Sequence, residues 1–514
     1  MAQPLPAGQI QTATETSAQC QAGALPASRR LPTDLAEATL SARQSLANKL
    51  LVLAVLGLAA AGYAHSLDQP FLANESHTAL AAFQPNVTLV VWSALRFDPG
   101  KPALYHILLH WYCSVFGHSE VAVRSMSVIF EVATVGLLFA LGQELFGFGL
   151  GMVAALLWAF NPEALAIARL GRVYALFTAL ALAHVLVLSK LRHKHGAGTT
   201  ALAGLLGAAM LYTHLDGVLI IAADCVVSIR ELRRYGRSTT LPAVMISLGL
   251  FLPFLPLAAS QTRAYLFGHW IDWLGLPQKY PISEKLFVGL FASGSIVWLT
   301  FARAQIGERS ESFHRCLTYL ALPFIALIGG SVILRPMFQV VYVAPSCVFI
   351  ALALSYVLDM AGSRVRNLAA LPLATLLFLA FVFRPGPSGP WRQIADQIST
   401  SGNPAEPVVF ESQSGGDADD VGARTEGEYP DGFLRVPFDF YFHGSNPRLA
   451  VSGTDPIEAA KSITAEALNS GGAWLISAKG LQGAAAELPR NNDVRIASVN
   501  QYSHVVVVHL LRNH

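Results

Sequence analysis

The chain has 514 residues, 53% of them hydrophobic and 13% charged, with a formal net charge of +2 at pH 7. An average soluble domain carries roughly 25% charged residues, so half that share together with long apolar runs excludes an ordinary soluble enzyme. A charge so near balance gives no ground for a nucleic-acid partner.

Residues 1–46 are rich in Ala, Gln, Ser, Thr and Pro, with Arg29, Arg30 and Arg43 as the marked charges. They predict a disordered cytoplasmic tail. The first apolar run starts too far from the terminus, and runs on too long, for a cleaved leader. Runs of about 17–25 apolar residues, the length that crosses a ~30 Å hydrocarbon core, recur from 47 to 383. Candidate spans are 47–65, 121–143, 150–167, 172–190, 199–212, 214–229, 241–259, 283–303, 317–334, 339–359 and 367–383. Strongly basic loops at Arg192 to His195, Arg230 to Arg237, Arg303 to Arg315 and Arg364 to Arg366 belong on the cytoplasmic side by the positive-inside rule. About eleven spans then put the N-terminus inside and the C-terminus outside. The same parity keeps 103–117 from crossing and makes it an interfacial helix within a large first external loop, 66–120.

After Phe383 the composition becomes that of a soluble domain. Arg384 to Pro390 is a stiff linker with three prolines. Within 391–514, Pro407 to Phe410, Ala473 to Ile476 and Val505 to Val508 predict buried strands, while Trp391 to Ile398 and Ile457 to Leu468 predict helices. The expected fold is thus an α-helical polytopic membrane domain, 47–383, followed by an external or periplasmic α/β domain. The five cysteines, Cys20, Cys113, Cys225, Cys316 and Cys347, form no CxxC pair and read as small apolar filler.

Charges near a membrane are costly unless paired or functional, which makes the few on the expected outer side informative. The first external loop carries Asn74-Glu75-Ser76-His77 and Asp98-Pro99-Gly100-Lys101-Pro102; later loops add Arg169, Arg172, His214, Asp216 and Arg335. His106 and His110 stand one helical turn apart, a spacing that can chelate a metal. They have no acidic motif beside them, so interfacial packing is the preferred reading.

Several of these positions form a pattern. Lys101-Pro102-Ala103-Leu104-Tyr105, Phe116-Gly117-His118-Ser119-Glu120 and Arg124 resemble the K/H-P-P-L-Y…L-F-G-x-S-E-x-x-x-R run of bacterial lipid-linked glycosyltransferases of GT-C type. That family includes the protein O-mannosyltransferases and the lipid A aminoarabinose transferase. Asn161-Pro162 with Arg172-Val173-Tyr174-Ala175-Leu176, Tyr212-Thr213-His214 with Gly217, Arg335-Pro336 with Ala344-Pro345, and Trp391-Arg392 resemble further segments of the family in the same order. The resemblance covers 47 to about 400.

What the resemblance implies is a GT-C membrane enzyme of the bacterial inner membrane. It would move a monosaccharide, with inversion, from a polyprenyl-phosphate carrier to an external glycan, lipid or protein acceptor. On that expectation Glu75 and Asp216 are catalytic, and Asn74, Lys101, Arg172, Tyr174, His214 and Arg335 bind substrate. Lys101 and the arginines suit the departing phosphate, since a guanidinium offers a planar fork to it. No cofactor is expected; a divalent metal is left open. Two acids of the family pattern are replaced here: its Asp-Glu pair is Asn74-Glu75, and its Gln-Glu-Ala-Arg is Arg169-Leu170-Gly171-Arg172. A neutral amide takes no proton near neutral pH. The alternative is therefore a non-catalytic protein of cell-envelope assembly that binds polyprenyl phosphate or a glycan.

Overall fold

In the computed structural model the described residues are 31–98, 100–193, 195–267, 308–333, 339–360, 362, 375, 388–401, 403–411, 432–451, 456–477, 483–488, 493–502 and 505–513. The chain divides into two compact units, Met1–Leu53 and Ala54–His514. Helix α1 (Leu31–Tyr63) reaches back into the stretch expected to be a disordered tail. Pro32 lies in its first turn, where a missing N–H costs nothing, and the Ala, Leu and Glu residues that follow are strong helix formers.

In the second unit, α2 (Ala73–Ala82), α3 (Val87–Phe97) and α4 (Leu104–Phe116) form a layer of short helices before the long ones begin. The expected interfacial helix is α4. Its 13 residues extend only about 20 Å, too short for a bilayer. Asn86 accepts from Leu89 N at the start of α3, and Ser119 accepts from Ala122 N at the start of α5 (Glu120–Phe146). Both are amide-satisfying N-caps.

The long part continues with α6 (Phe148–Ala159), α7 (Pro162–Ala168), α8 (Tyr174–Leu191), α9 (Ala197–Leu211), α10 (Gly217–Tyr235), α11 (Leu241–Phe251), α12 (Leu255–Phe267), α13 (Glu308–Ile333) and α14 (Ala344–Met360). Six helical stretches among the described residues are long and apolar enough to cross a membrane: 43–63, 120–146, 174–191, 241–261, 311–331 and 340–360. A seventh is α6 with α7, bent by 64° where Pro162 opens α7 behind the Asn161 cap. Seven of the eleven expected spans thus have a counterpart among the described residues, counting the bent pair as one, and the full count is not confirmed. The stretch 199–212 yields a helix of only 15 residues. The stretch 214–229 becomes α10, which starts at Gly217 and carries Asp224, Arg230, Glu231, Arg233 and Arg234. The spans 283–303 and 367–383 lie outside the described residues. Large apolar side chains stand exposed on the spanning stretches, Met245 by 62% and Ile325 by 64%, as suits a hydrocarbon solvent rather than water. This is a membrane protein.

Helices α5 and α6 meet at two glycines. A Cβ on Gly142 would lie 2.6 Å from Gly151 Cα, and one on Gly151 would lie 2.7 Å from the backbone of Gln143 and Phe139. The obstacles are main-chain atoms, so only separation of the helices relieves them. Gly142→Ala is expected to cost about 1–3 kcal/mol, read as a lower melting temperature of the purified protein. A variant that melts with the wild type would show that the helices part freely.

The C-terminal part is a five-stranded mixed sheet in the order β2-β1-β3-β5-β4: β1 (Val408–Glu411), β2 (Arg448–Val451), β3 (Gly472–Ser477), β4 (Val494–Tyr502) and β5 (Val505–Arg512). The neighbours β2 and β3 run parallel to β1, and β5 runs antiparallel to both β3 and β4. Helices α15 (Trp391–Ser401) and α16 (Gly432–Tyr441) pack against one face through Trp391, Ile394 and Phe438; α17 (Pro456–Ser470) and α18 (Ala484–Glu487) cover the other through Ala459, Ile463 and Ala484. The three expected strands are β1, β3 and β5, the central ones, whose apolar runs are buried on both faces. Sequence reading missed β2 and β4 because edge strands have only one covered side. It also missed α16, which carries an internal proline, Pro437.

Helix α16 packs on the short-helix layer. Tyr441 Oη donates to Glu120 Oε1 at 2.9 Å and accepts from Phe71 N at 2.7 Å. Arg392 Nη2 reaches Glu120 Oε1 at 2.5 Å.

Candidate active site

The site forms where three turns meet. In the first, Gly100 takes a positive φ of 82°, which folds Lys101 back over Asp98: Lys101 N donates to Asp98 O at 3.1 Å and Nζ to Asp98 Oδ1 at 2.6 Å. The second turn, between α9 and α10, is fastened to the first by Leu215 N to Gly100 O at 3.1 Å and Leu104 N to Tyr212 O at 3.2 Å. The third, between α7 and α8, holds Arg172. Gly171 N donates to Glu75 Oε1 at 2.7 Å, and a Cβ there would lie 2.6 Å from Val123 Cγ1, so this close approach requires glycine.

Asp98 is the hub. Arg172 Nη2 donates to its Oδ1 at 2.9 Å and Nη1 lies 2.9 Å from Oδ2. Thr78 Oγ1 donates to Oδ2 at 3.4 Å, and His106 Nε2 stands 3.6 Å from it. Arg172 Nη1 also donates to Asn74 O and to Thr78 Oγ1. Asp98, Lys101, His106 and Arg172 are all buried. Burial pulls the Asp98 carboxyl upward, but Arg172 and Lys101 outweigh it and hold the group well below the usual carboxylate range. For Arg172 burial likewise opposes the charge, and Asp98 with Tyr174 overcomes it, leaving a firmly charged guanidinium. Burial pushes His106 down, to the neutral form. Two cations thus share one carboxylate, and the cluster retains one positive charge.

Asp216 adjoins this cluster in the turn before α10. Its side chain keeps 26% of its exposure, and its one ion-pair contact among the described residues is with His214 Nδ1, at 3.5 Å. Burial pushes its carboxyl up to about 7, with Lys101 opposing. His214 Nδ1 accepts from Asp216 N at 3.1 Å, which leaves the ring proton on Nε2. Burial and the Lys101 charge push His214 down to about 3, so it stays neutral. Its ring stacks on Phe177 at 5.1 Å and lies 5.8 Å from Tyr174 and 5.7 Å from Tyr342. A partly exposed acid titrating near neutrality beside fixed cations has the makings of a proton acceptor.

Glu75 stands differently from expectation. Arg124 Nε and Nη2 donate to Oε1 and Oε2 at 2.9 and 2.7 Å. Gly171 N fills Oε1 a second time, and Leu72 N fills Oε2 at 2.9 Å. All four acceptor positions of a carboxylate are then taken, and the residue is fully buried. It caps α2 and ties α2, α5 and the Arg172 turn together, with no lone pair left for a substrate proton. Asn74 presents an exposed side chain and joins the cluster only through its carbonyl.

A family model described as dolichyl-phosphate-mannose-protein mannosyltransferase matches residues 100–257, the stretch that supplies Lys101, Arg172, His214 and Asp216. No curated protein sequence matches the chain. Among solved structures, ArnT from Cupriavidus metallidurans in the apo state aligns at a TM-score of 0.58 and 13% identity, covering 90% of this chain and 98% of that one. ArnT bound to undecaprenyl phosphate aligns at 0.55 and 14%, covering 89% and 97%. This is the GT-C glycosyltransferase fold. The oligosaccharyltransferase of Archaeoglobus fulgidus, tethered with an acceptor peptide, is a further GT-C neighbour at a TM-score of 0.50 and 12% identity, covering 83% and 69%.

Within the GT-C fold the residues expected from sequence separate into three groups. Lys101, Arg172, His214, Asp216 and Tyr174 come together; Glu75 and the Asn74 side chain do not join them; Arg335 lies outside the described residues. Sequence reading gave no site role to Asp98 or His106, and did not single out Thr78. The signal for Asp98 was its place three residues before Lys101, with a proline and a glycine between them in sequence, the composition of a turn. His106 and His110 point to different partners, Asp98 and the Ala82 carbonyl. Among the described residues no three His, Cys, Asp or Glu side chains assemble into a metal-binding group.

Proposed function

We propose that the protein transfers a monosaccharide from a polyprenyl phosphate to an acceptor hydroxyl on the outer side of the membrane, with inversion at the anomeric carbon. The observation that carries this reading is the meeting of Lys101, Arg172, Asp98, His214 and Asp216 in one cluster, where two cations share the Asp98 carboxylate and a second, partly exposed carboxylate stands next to them. Lys101 and Arg172 hold the donor phosphate and stabilise the charge that grows on it. Asp98 keeps the two cations in place while the site is empty of phosphate. Asp216 takes the acceptor proton as the acceptor oxygen bonds to the anomeric carbon. The bond from that carbon to the phosphate oxygen breaks, and polyprenyl phosphate leaves with the electron pair. A single displacement inverts the centre. His214 and Tyr174 orient the sugar beside the turn. The ArnT neighbour bound to undecaprenyl phosphate and the family match support a lipid-phosphate donor.

The domain organisation belongs to the same proposal. The N-terminus is cytoplasmic, 47–383 is the bacterial inner-membrane domain, 384–390 is a linker and 391–514 is an external domain concerned with the acceptor. The basic loops support this orientation.

A base that must be ionised predicts a pH profile. Because Asp216 is raised to about 7, kcat/KM is expected to rise with pH up to about 7 and level off above it. Asp216→Asn is expected to lower the plateau by about 10²–10⁴-fold and abolish the rise. Transfer from a radiolabelled polyprenyl-phospho-sugar, measured across pH, tests both. A profile unchanged in the variant would remove Asp216 from the reaction. The second reading, a non-catalytic binder of polyprenyl phosphate or glycan, is favoured by the saturation of Glu75 and the exposed amide at Asn74. It predicts donor binding without turnover in the wild type.

A further inference from the structure

A cavity of about 940 Å³ opens at the end of the helix bundle remote from the candidate active site. Helix α8 starts beside the site at Tyr174 and ends at Leu191, so its far end is about 27 Å away. There Arg192, Arg234 and Arg315 converge on one carboxylate, Glu311. Arg192 Nη2 and Arg315 Nη2 reach Oε1 at 2.7 and 3.3 Å, and Arg234 Nη1 reaches Oε2 at 3.2 Å. Tyr235 Oη occupies Oε2 as well, at 2.9 Å. The second carboxylate, Glu231, is equally full. It accepts from Ser238 Oγ, Thr239 N and Thr240 N on one oxygen, and from Arg315 Nη2 and Thr239 Oγ1 on the other.

The donors are far from exhausted. Each guanidinium has five N–H groups, and around the cavity Arg192, Arg234 and Arg315 each engage an acid through a single nitrogen. Arg237 lines the cavity with no ion pair among the described residues. Four arginines face three glutamates, the third being Glu144, 3.9 Å from His193. The wall therefore has a net positive charge, spare donors and acids that are largely spent. A positive-inside bias explains basic loops; it does not explain three guanidiniums crowded on one acid around a space of ligand size. The apolar crevice that shares Leu145 and Arg315 with the cavity measures only about 10 Å³, too little for an acyl chain.

We propose that this cavity binds a phosphate ester, either the headgroup of an anionic phospholipid or a free phosphate compound, at a site separate from the one that handles the sugar donor. Planar forks with spare N–H groups suit phosphate oxygens. In the orientation proposed above, the basic loops that line the cavity lie at the cytoplasmic leaflet, where anionic headgroups are found. Nothing in the proposal depends on the reaction at the other end of α8.

The test uses the full chain in nanodiscs of phosphatidylcholine, with and without phosphatidylglycerol. In one arm, native mass spectrometry counts phosphatidylglycerol retained on the protein. In the other, inorganic phosphate is titrated into phosphatidylcholine discs and the melting temperature followed, with chloride at matched ionic strength as the control. Retention of phosphatidylglycerol over phosphatidylcholine, or a phosphate-specific rise in melting temperature, is expected; the arm that responds names the source. Arg237→Gln, at an exposed position with no ion pair to lose among the described residues, is expected to weaken that response about tenfold, and Arg192→Gln by at least as much. Sugar transfer by Arg237→Gln should match the wild type. The proposal is overturned if neither arm distinguishes phosphate from its control, or if both variants respond as the wild type does, which would leave the arginines as braces between helices.

Discussion

Arg124→Met is expected to destabilise the protein by about 3–5 kcal/mol, because it leaves the Glu75 carboxylate charged in a site with no access to water. Every donor of Arg124 is used. Nε and Nη2 hold Glu75, Nη1 donates to the carbonyls of Leu67 and Gln69, and Nη2 also reaches Pro70 O at 3.3 Å. The Phe71 ring lies 5.4 Å from its Cζ. The loss is to be read in the melting temperature of the purified chain. Adding Glu75→Gln to the same molecule should recover part of it, since the stranded charge is then gone. A single variant as stable as the wild type would mean that the pair lies in contact with water. The effect on transfer should follow the loss of folded protein. Glu75 fixes the Gly171 turn, which holds Arg172, but it touches none of the groups proposed to react.

Lys101→Ala is expected to lower kcat/KM for transfer from a polyprenyl-phospho-sugar by about 10²–10³-fold, the usual cost of losing one preorganised group that stabilises developing charge. Stability should change far less, because Asp98 keeps its two contacts with Arg172. Lys101→Arg should restore only part of the activity. A guanidinium is longer and planar, and Nζ stands 2.6 Å from Asp98 in a buried turn that has little room. Measuring kcat and KM separately tells binding from chemistry. A rise in KM alone would mean that Lys101 grips the phosphate equally before and during bond breaking; a fall in kcat means that its grip tightens in the transition state. Wild-type rates in Lys101→Ala would remove the phosphate role altogether.

These two predictions rest on opposite surroundings of Glu75 and Lys101, the first saturated by donors and the second held over one carboxylate, and that contrast was not legible in the chain. Glu75 and Lys101 both read as isolated charges on a loop between apolar runs. Spacing along one segment cannot say that an arginine 49 positions later takes both oxygens of the first, or that the side chain of the aspartate three positions earlier pairs with the second.

Length, composition and the recurrence of apolar runs by themselves determined that this is a membrane protein, because the ~30 Å core demands segments of fixed length and shows directly in sequence. The central strands β1, β3 and β5 were determined in the same way, by apolar runs that only a doubly covered strand tolerates. The order of short motifs from Lys101 to Trp391 pointed to the GT-C fold. Only the tertiary structure decided which acids face the site. Three turns far apart in sequence had to be brought together before Asp216 stood by His214 and within the field of Lys101, and before Glu75 was turned the other way. Whether a carboxylate is free to accept a proton or is a buried strut depends on how many donors surround it, and three of the four around Glu75 come from α5 and the Gly171 turn rather than from its own segment.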